Sequence, residues 1–142
     1  MNKTIETIDR LTLLVRYGLV DQGDSTIFDT RTNLYWQQSS SSKQYTWKDA
    51  HTYCEKLDLA GYKDWRLPTI DELKSLIEKE HDPTICPVFE CKLDWYWLSS
   101  SVVYSPSRPF YFWGVYFGGH YVGGRIGGGG DAPHFVRAVR SG

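Results

Sequence analysis

After Leu93 the chain abandons most long polar side chains and changes its hydrophobic period, and this boundary restricts the folds open to it. Residues 93–142 contain no Lys, Glu, Gln, Asn, Thr, Met or Cys, while ten of the thirteen glycines fall there beside Tyr, Phe, Trp, Ser and Arg. Before the boundary the apolar residues recur at helical spacing. After it Trp113, Val115 and Phe117 alternate with Gly114, Tyr116 and Gly118, a period of two that predicts a strand with one buried face. Helices first and antiparallel strands afterwards make an α+β chain. Aromatic, Ser, Gly and Arg residues together are also the material of contact surfaces: rigid area, adaptable backbone and a charged anchor.

The 142 residues suffice for one domain with its own core. A net charge of −1 supplies no field that would draw the chain to nucleic acid or to a membrane. Residues 93–142 carry four arginines against Asp94 and Asp131, too sparse for a nucleic-acid footprint. The best apolar run, Leu11 to Val20, is broken by Arg16 and Gly18 and is too short to span a bilayer. Glu6, Asp9 and Arg10 precede it, so no signal peptide is expected either. Three cysteines, Cys54, Cys86 and Cys91, argue for buried thiols over a disulfide framework, with a Cys86–Cys91 bridge left open.

Residues 1–24 read as an N-terminal arm in which Ile5, Ile8, Leu11 and Val15 have roughly helical spacing and an extended course is equally possible. Ile27–Phe28 and Leu34–Trp36 flank a turn over residues 30–33 and predict a hairpin. Thr46 opens a first helix with Trp47, Ala50, Tyr53, Cys54 and Leu57 on one face, and Gly61 stands where it should stop. Thr69 with Glu72 forms a capping box for a second helix whose stripe is Ile70, Leu73, Leu76 and Ile77. Trp36, Trp47, Trp65 and Trp97 are expected in the core.

Four motifs resemble one family. They are Asp29-x-x-Thr32-Asn33-Leu34-x-Trp36, Gly61-Tyr62-x-Asp64-Trp65-Arg66-Leu67-Pro68-Thr69-x-x-Glu72-Leu73, Tyr96-Trp97-x-Ser99-Ser100, and Val136-Arg137-x-Val139-Arg140. They are similar to the DUF1566 family, the C-terminal domain type of the Legionella collagen-like adhesin, from about residue 20 to the end. Asn33 stands where that family usually has Gly, and Asn tolerates a left-handed turn. The resemblance implies a C-type lectin-like fold, two helices packed on antiparallel strands with long glycine-rich loops, in a single domain of residues 1–142. It places Arg137 and Arg140 in the scaffold.

Within the family the tail resembles the variable protein of a diversity-generating retroelement, which randomises template adenines at the end of a gene. An Asn codon treated in this way yields Tyr, Ser, Gly, Asp, His, Arg and Phe but not Lys, Gln, Glu, Met or Trp. The tail alphabet matches apart from the missing Thr, which the rule does not explain. Residues 93–142 are then the variable region. Its ligand-binding positions are expected at Tyr104, Ser105, Ser107, Arg108, Phe110, Tyr111, Gly114, Tyr116, Gly118, His120, Tyr121, Arg125, Asp131 and His134. Glycine inside a strand costs roughly 0.5–1 kcal/mol, which marks Gly114 as a sampled position in that reading.

No calcium-lectin triplet, zinc spacing or phosphate loop occurs, and no cysteine follows Cys91 where the distantly related formylglycine-generating enzymes need them. The expectation is a binding protein without catalysis, cofactor or metal. It would recognise a surface protein or glycan from a virion or cell surface. The alternative is a fixed adhesin-like domain for acidic polysaccharide.

Overall fold

The computed structural model describes residues 3–99, 111–118, 124–129 and 132–142. Element order is α1 (Lys3–Arg16), β1 (Leu19–Asp21), β2 (Thr26–Asp29), β3 (Leu34–Gln37), α2 (Trp47–Lys56), α3 (Ile70–Lys74), β4 (Trp95–Trp97), β5 (Tyr111–Tyr116), β6 (Gly124–Gly129) and β7 (Val139–Ser141). Among the described residues the chain is therefore mixed α+β, with three helices and two antiparallel sheets ordered β1-β2-β3-β7 and β4-β5-β6.

The hairpin motif has a local cause. Buried Asp29 accepts the Arg31 backbone N–H at 2.9 Å through its carboxylate, and its carbonyl accepts the Asn33 N–H at 2.9 Å. Such a side-chain-to-backbone turn leaves one residue in the left-handed region. That residue is Asn33, at φ 60°. The turn sets β2 against β3, pairing Ile27 with Trp36, and both are wholly buried.

Residues 3–21, expected as an arm, instead complete the first sheet. Helix α1 buries Leu14, and Tyr17 and Leu19 follow it into the same core, while β1 pairs with β2. Leu11 and Val15, which the helical spacing had suggested for a buried stripe, are exposed. At the other end β7 pairs with β3, and the Gly142 N–H donates to the Asn33 carbonyl at 2.9 Å.

Thr46 caps α2 by accepting the Asp49 N–H at 3.2 Å. The helix ends at Lys56, five residues before the predicted stop at Gly61. Gly61 lies instead in the Leu59–Tyr62 turn at φ 81°, beside Ala60 at φ 58°. The inward face of α2 joins Trp65, Leu67, Trp97, Val136 and Ala138 in one core cluster. A larger cluster lies between the four-stranded sheet, α1, α3 and the inner face of the second sheet, where Tyr96, Val115 and Phe117 are completely buried.

Helix α3 is a single short turn, and the capping box builds it. Thr69 Oγ1 accepts the Glu72 N–H at 3.2 Å, and the Glu72 carboxylate accepts the Thr69 N–H at 2.9 Å. The same carboxylate takes both Arg66 guanidinium nitrogens, at 2.7 and 2.9 Å, so Trp-Arg-Leu-Pro-Thr-x-x-Glu is one hydrogen-bonded unit. The Arg66 hydrogen bond, above all, holds the Glu72 carboxyl below the usual range. A depressed folded pKa stabilises the fold above the unfolded value, and the benefit disappears as pH falls through the folded one. Arg66 is two-fifths exposed, so solvent screens the pair. Glu72→Gln is expected to cost about 1 kcal/mol at neutral pH. In melts across pH, that difference should close below roughly pH 4.3.

Candidate functional site

The sequence singled out residues 93–142, and among the described residues there the register shows which side of the second sheet is available. Tyr96 opposes Val115, and both point into the larger core. Trp95 opposes Tyr116 and Trp97 opposes Gly114, on the other side. At the Trp97 end that side is roofed by α2: Trp97 is 1% exposed and its indole N–H donates to the Tyr45 carbonyl at 2.6 Å. At the other end Trp95 and Tyr116 remain half-buried, their rings 5.2 Å apart. Gln44 Nε2 donates to Asp94 Oδ2 at 3.1 Å. Trp95, Asp94 and Gln44 were not among the residues picked from sequence. The Trp95–Tyr116 register was the missing signal.

Position by position, the fourteen expected ligand-binding residues fare differently. Tyr116 lies half-buried on the available face. Tyr111 lies on β5, and Arg125 lies on β6 opposite Gly114. Tyr104, Ser105, Ser107, Arg108, Phe110, His120, Tyr121 and Asp131 fall outside the described residues. His134 is a correction. It is 7% exposed, its ring lies 4.5 Å from that of Trp97 and 6.4 Å from that of Trp95, and its backbone exchanges two hydrogen bonds with Tyr45. Burial lowers its pKa. His134 therefore supports the face from beneath and does not project from it.

The two described glycines also have packing roles. A Cβ at Gly114 would stand 3.0 Å from the Tyr96 carbonyl oxygen and 3.4 Å from Trp95 Cε3, so any larger residue requires β4 to yield by a few tenths of an ångström. This close approach explains Gly114 without invoking random sampling. Gly118 is buried, and a Cβ there would meet the Tyr116 hydroxyl, the far end of a long side chain, at 2.5 Å.

The arginines of the last motif are structural. Arg137 is wholly buried, and among the described residues its hydrogen-bond partners are backbone carbonyls. Its Nη1 donates to the carbonyls of Gln37 and Gln38, each at 2.7 Å, and Nη2 to the carbonyl of Glu90. The guanidinium carbon lies 5.0 Å from the centroid of Phe89 and 5.7 Å from that of Tyr96. Arg140 binds Asp64 at 2.7 Å and lies 3.7 Å over the Tyr62 ring. All three cysteines are free thiols, and burial pushes Cys54 up to about 12. No group of His, Cys, Asp and Glu among the described residues could hold a metal ion, and no described helix is long and apolar enough to cross a membrane.

An α+β scaffold with an uncovered aromatic end on its second sheet is the class of structure these features define. The family model described as the Lcl C-terminal domain matches residues 25–140, and the chain belongs to that family. Membership indicates a surface or adhesin-like domain. Comparison with curated proteins and with solved structures finds no match.

Proposed function

We propose that this chain is a noncovalent recognition domain whose binding face is the uncovered end of the second sheet together with the tail segments that enter and leave it. The half-buried pair Trp95 and Tyr116 carries this reading. Large, rigid aromatic surface left open beside a polar rim is what contact surfaces are built from. In the finer form of the proposal the scaffold is C-type lectin-like and residues 93–142 are the diversified region of a retroelement variable protein. The target is a surface protein or glycan. The tail alphabet supports this form, and so does the division of labour between a core completed by β7 and a face built on β5 and β6.

Lysine placed at Tyr116, Ser105 or Ser107 tests the display reading. On this reading each variant should melt nearly as the parent does, within about 0.5 kcal/mol for the two serines and about 1 kcal/mol for Tyr116, whose ring packs on Trp95. If these variants unfold, the face is core and the proposal fails. No catalysis is proposed: incubation with cysteine-containing sulfatase peptides should give no aldehyde. Among the described arginines, Arg66, Arg137 and Arg140 are engaged in structural contacts. This weighs against the alternative of acidic-polysaccharide binding, which would also weaken steeply with salt.

A further inference from the structure

The aromatic face does not end at the sheet. His134 lies under Trp95 and exchanges backbone hydrogen bonds with Tyr45, N–H to carbonyl at 2.9 and 2.8 Å. The Tyr45 ring lies 5.1 Å from that of Tyr53 on α2. Both tyrosines are half-buried and line a cavity of about 410 Å³ along the helix, with Asp49, Thr52, Lys56 and Asp58 around it. The Tyr53 hydroxyl is fixed by Gln37 Nε2 at 2.6 Å. Two half-buried ring pairs, Trp95 with Tyr116 on the second sheet and Tyr45 with Tyr53 beside α2, are thus linked through His134.

The chemistry along this track is selective. Asp94 stands at the sheet end, and Asp49 and Asp58 at the groove. The one cation lining the groove among the described residues is Lys56, and Lys63 approaches Asp58 at 3.9 Å from outside. A groove lined by two carboxylates and one ammonium disfavours a polyanion. It suits a chain with apolar C–H faces to lie on the rings and hydroxyls to donate to carboxylates, bonds that charge strengthens. An isolated patch would suit a protein, whereas two ring pairs linked through His134, one of them opening on a groove, suit a linear ligand.

We propose that the chain binds a neutral, linear oligosaccharide along this track, with one end on Trp95 and Tyr116 and the other in the Tyr45–Tyr53 groove. The inference rests on the recognition face proposed above and adds an anchor that belongs to the constant scaffold. Whatever the tail carries, residues 45–58 would hold the same glycan.

Calorimetric titration of the full chain with cellohexaose, maltohexaose and chitohexaose, beside hexagalacturonate as the polyanion, tests the proposal. At least one neutral hexamer should bind with a Kd below about 1 mM, at least about tenfold tighter than its own disaccharide. Binding should change little between roughly 50 and 500 mM salt. Thr52→Arg fills the groove from the helix surface. It should lower hexamer affinity about tenfold while leaving the melting point unchanged. Failure of every neutral hexamer to bind, or tighter binding of hexagalacturonate, overturns the inference. If Trp95→Ala weakens hexamer binding and Thr52→Arg does not, the sheet face binds glycan and the groove is excluded. If a hexamer binds and neither substitution weakens it, the recognition face itself is wrong.

Discussion

Arg137→Met is expected to lower stability by about 3–5 kcal/mol, a large part of what a domain of this size possesses. The aliphatic stem is replaced well enough, but the carbonyls of Gln37, Gln38 and Glu90 lose their common donor inside the protein. The Gln38 carbonyl keeps the Glu90 N–H at 3.1 Å, whereas a buried acceptor left unpaired costs about 1–3 kcal/mol. These carbonyls belong to the end of β3 and to the segment before β4, so the guanidinium joins parts of the chain about fifty residues apart in sequence. Arg137→Lys should recover only part of the loss, since one ammonium cannot reproduce a planar fork. Chemical denaturation should show a lower midpoint with an unchanged slope. A loss below about 1 kcal/mol would mean that the three bonds are not what holds this segment.

Trp97→Ala is expected to cost a comparable amount, about 3–5 kcal/mol, for a different reason. Its ring fills the cluster beneath α2 and packs on His134, and its N–H satisfies Tyr45. Truncation leaves a cavity where helix and sheet meet and removes one of two donors to the Tyr45 carbonyl, which keeps the His134 N–H at 2.9 Å. Residual folded protein should bind ligand more weakly, because Tyr45 and His134 lose the ring that positions them. Trp47→Ala is the control. Its ring is half-buried and its N–H donates to the Leu98 carbonyl at 2.9 Å, so thermal melts should show a smaller loss. Equal losses would contradict the assignment of Trp97 as the central support.

Much of the scaffold was legible because its signals are local. Asp29, Asn33, Thr46, Thr69 and Glu72 act on backbone within a few residues, and each was placed where it functions. The inward set Val115 and Phe117 followed from a period of two. Misreadings came where tertiary packing decides. Residues 136–139 are all buried because Val136 and Ala138 face one cluster, Val139 faces the other and Arg137 is held between carbonyls. No alternation survives when both sides are covered. His134 looked like part of an exposed loop, and only its pairing with Tyr45, some ninety positions earlier, puts it inside. Gly114 looked like a position without a structural purpose until the Tyr96 carbonyl was seen against it. Trp95 was passed over since nothing in its neighbourhood separates an open tryptophan from the buried Trp97 two residues on.

Sequencing codons 93–142 across a population that carries this gene tests the central claim most directly. A displayed, diversified face predicts clustered substitutions at positions such as 104, 105, 107, 108, 116, 120 and 125. Val115, Phe117, His134 and Arg137 should stay fixed, and position 114 should be held to small residues. A uniform tail, or substitutions that strike the buried positions as often as Tyr116, would contradict it and leave a fixed adhesin-like domain.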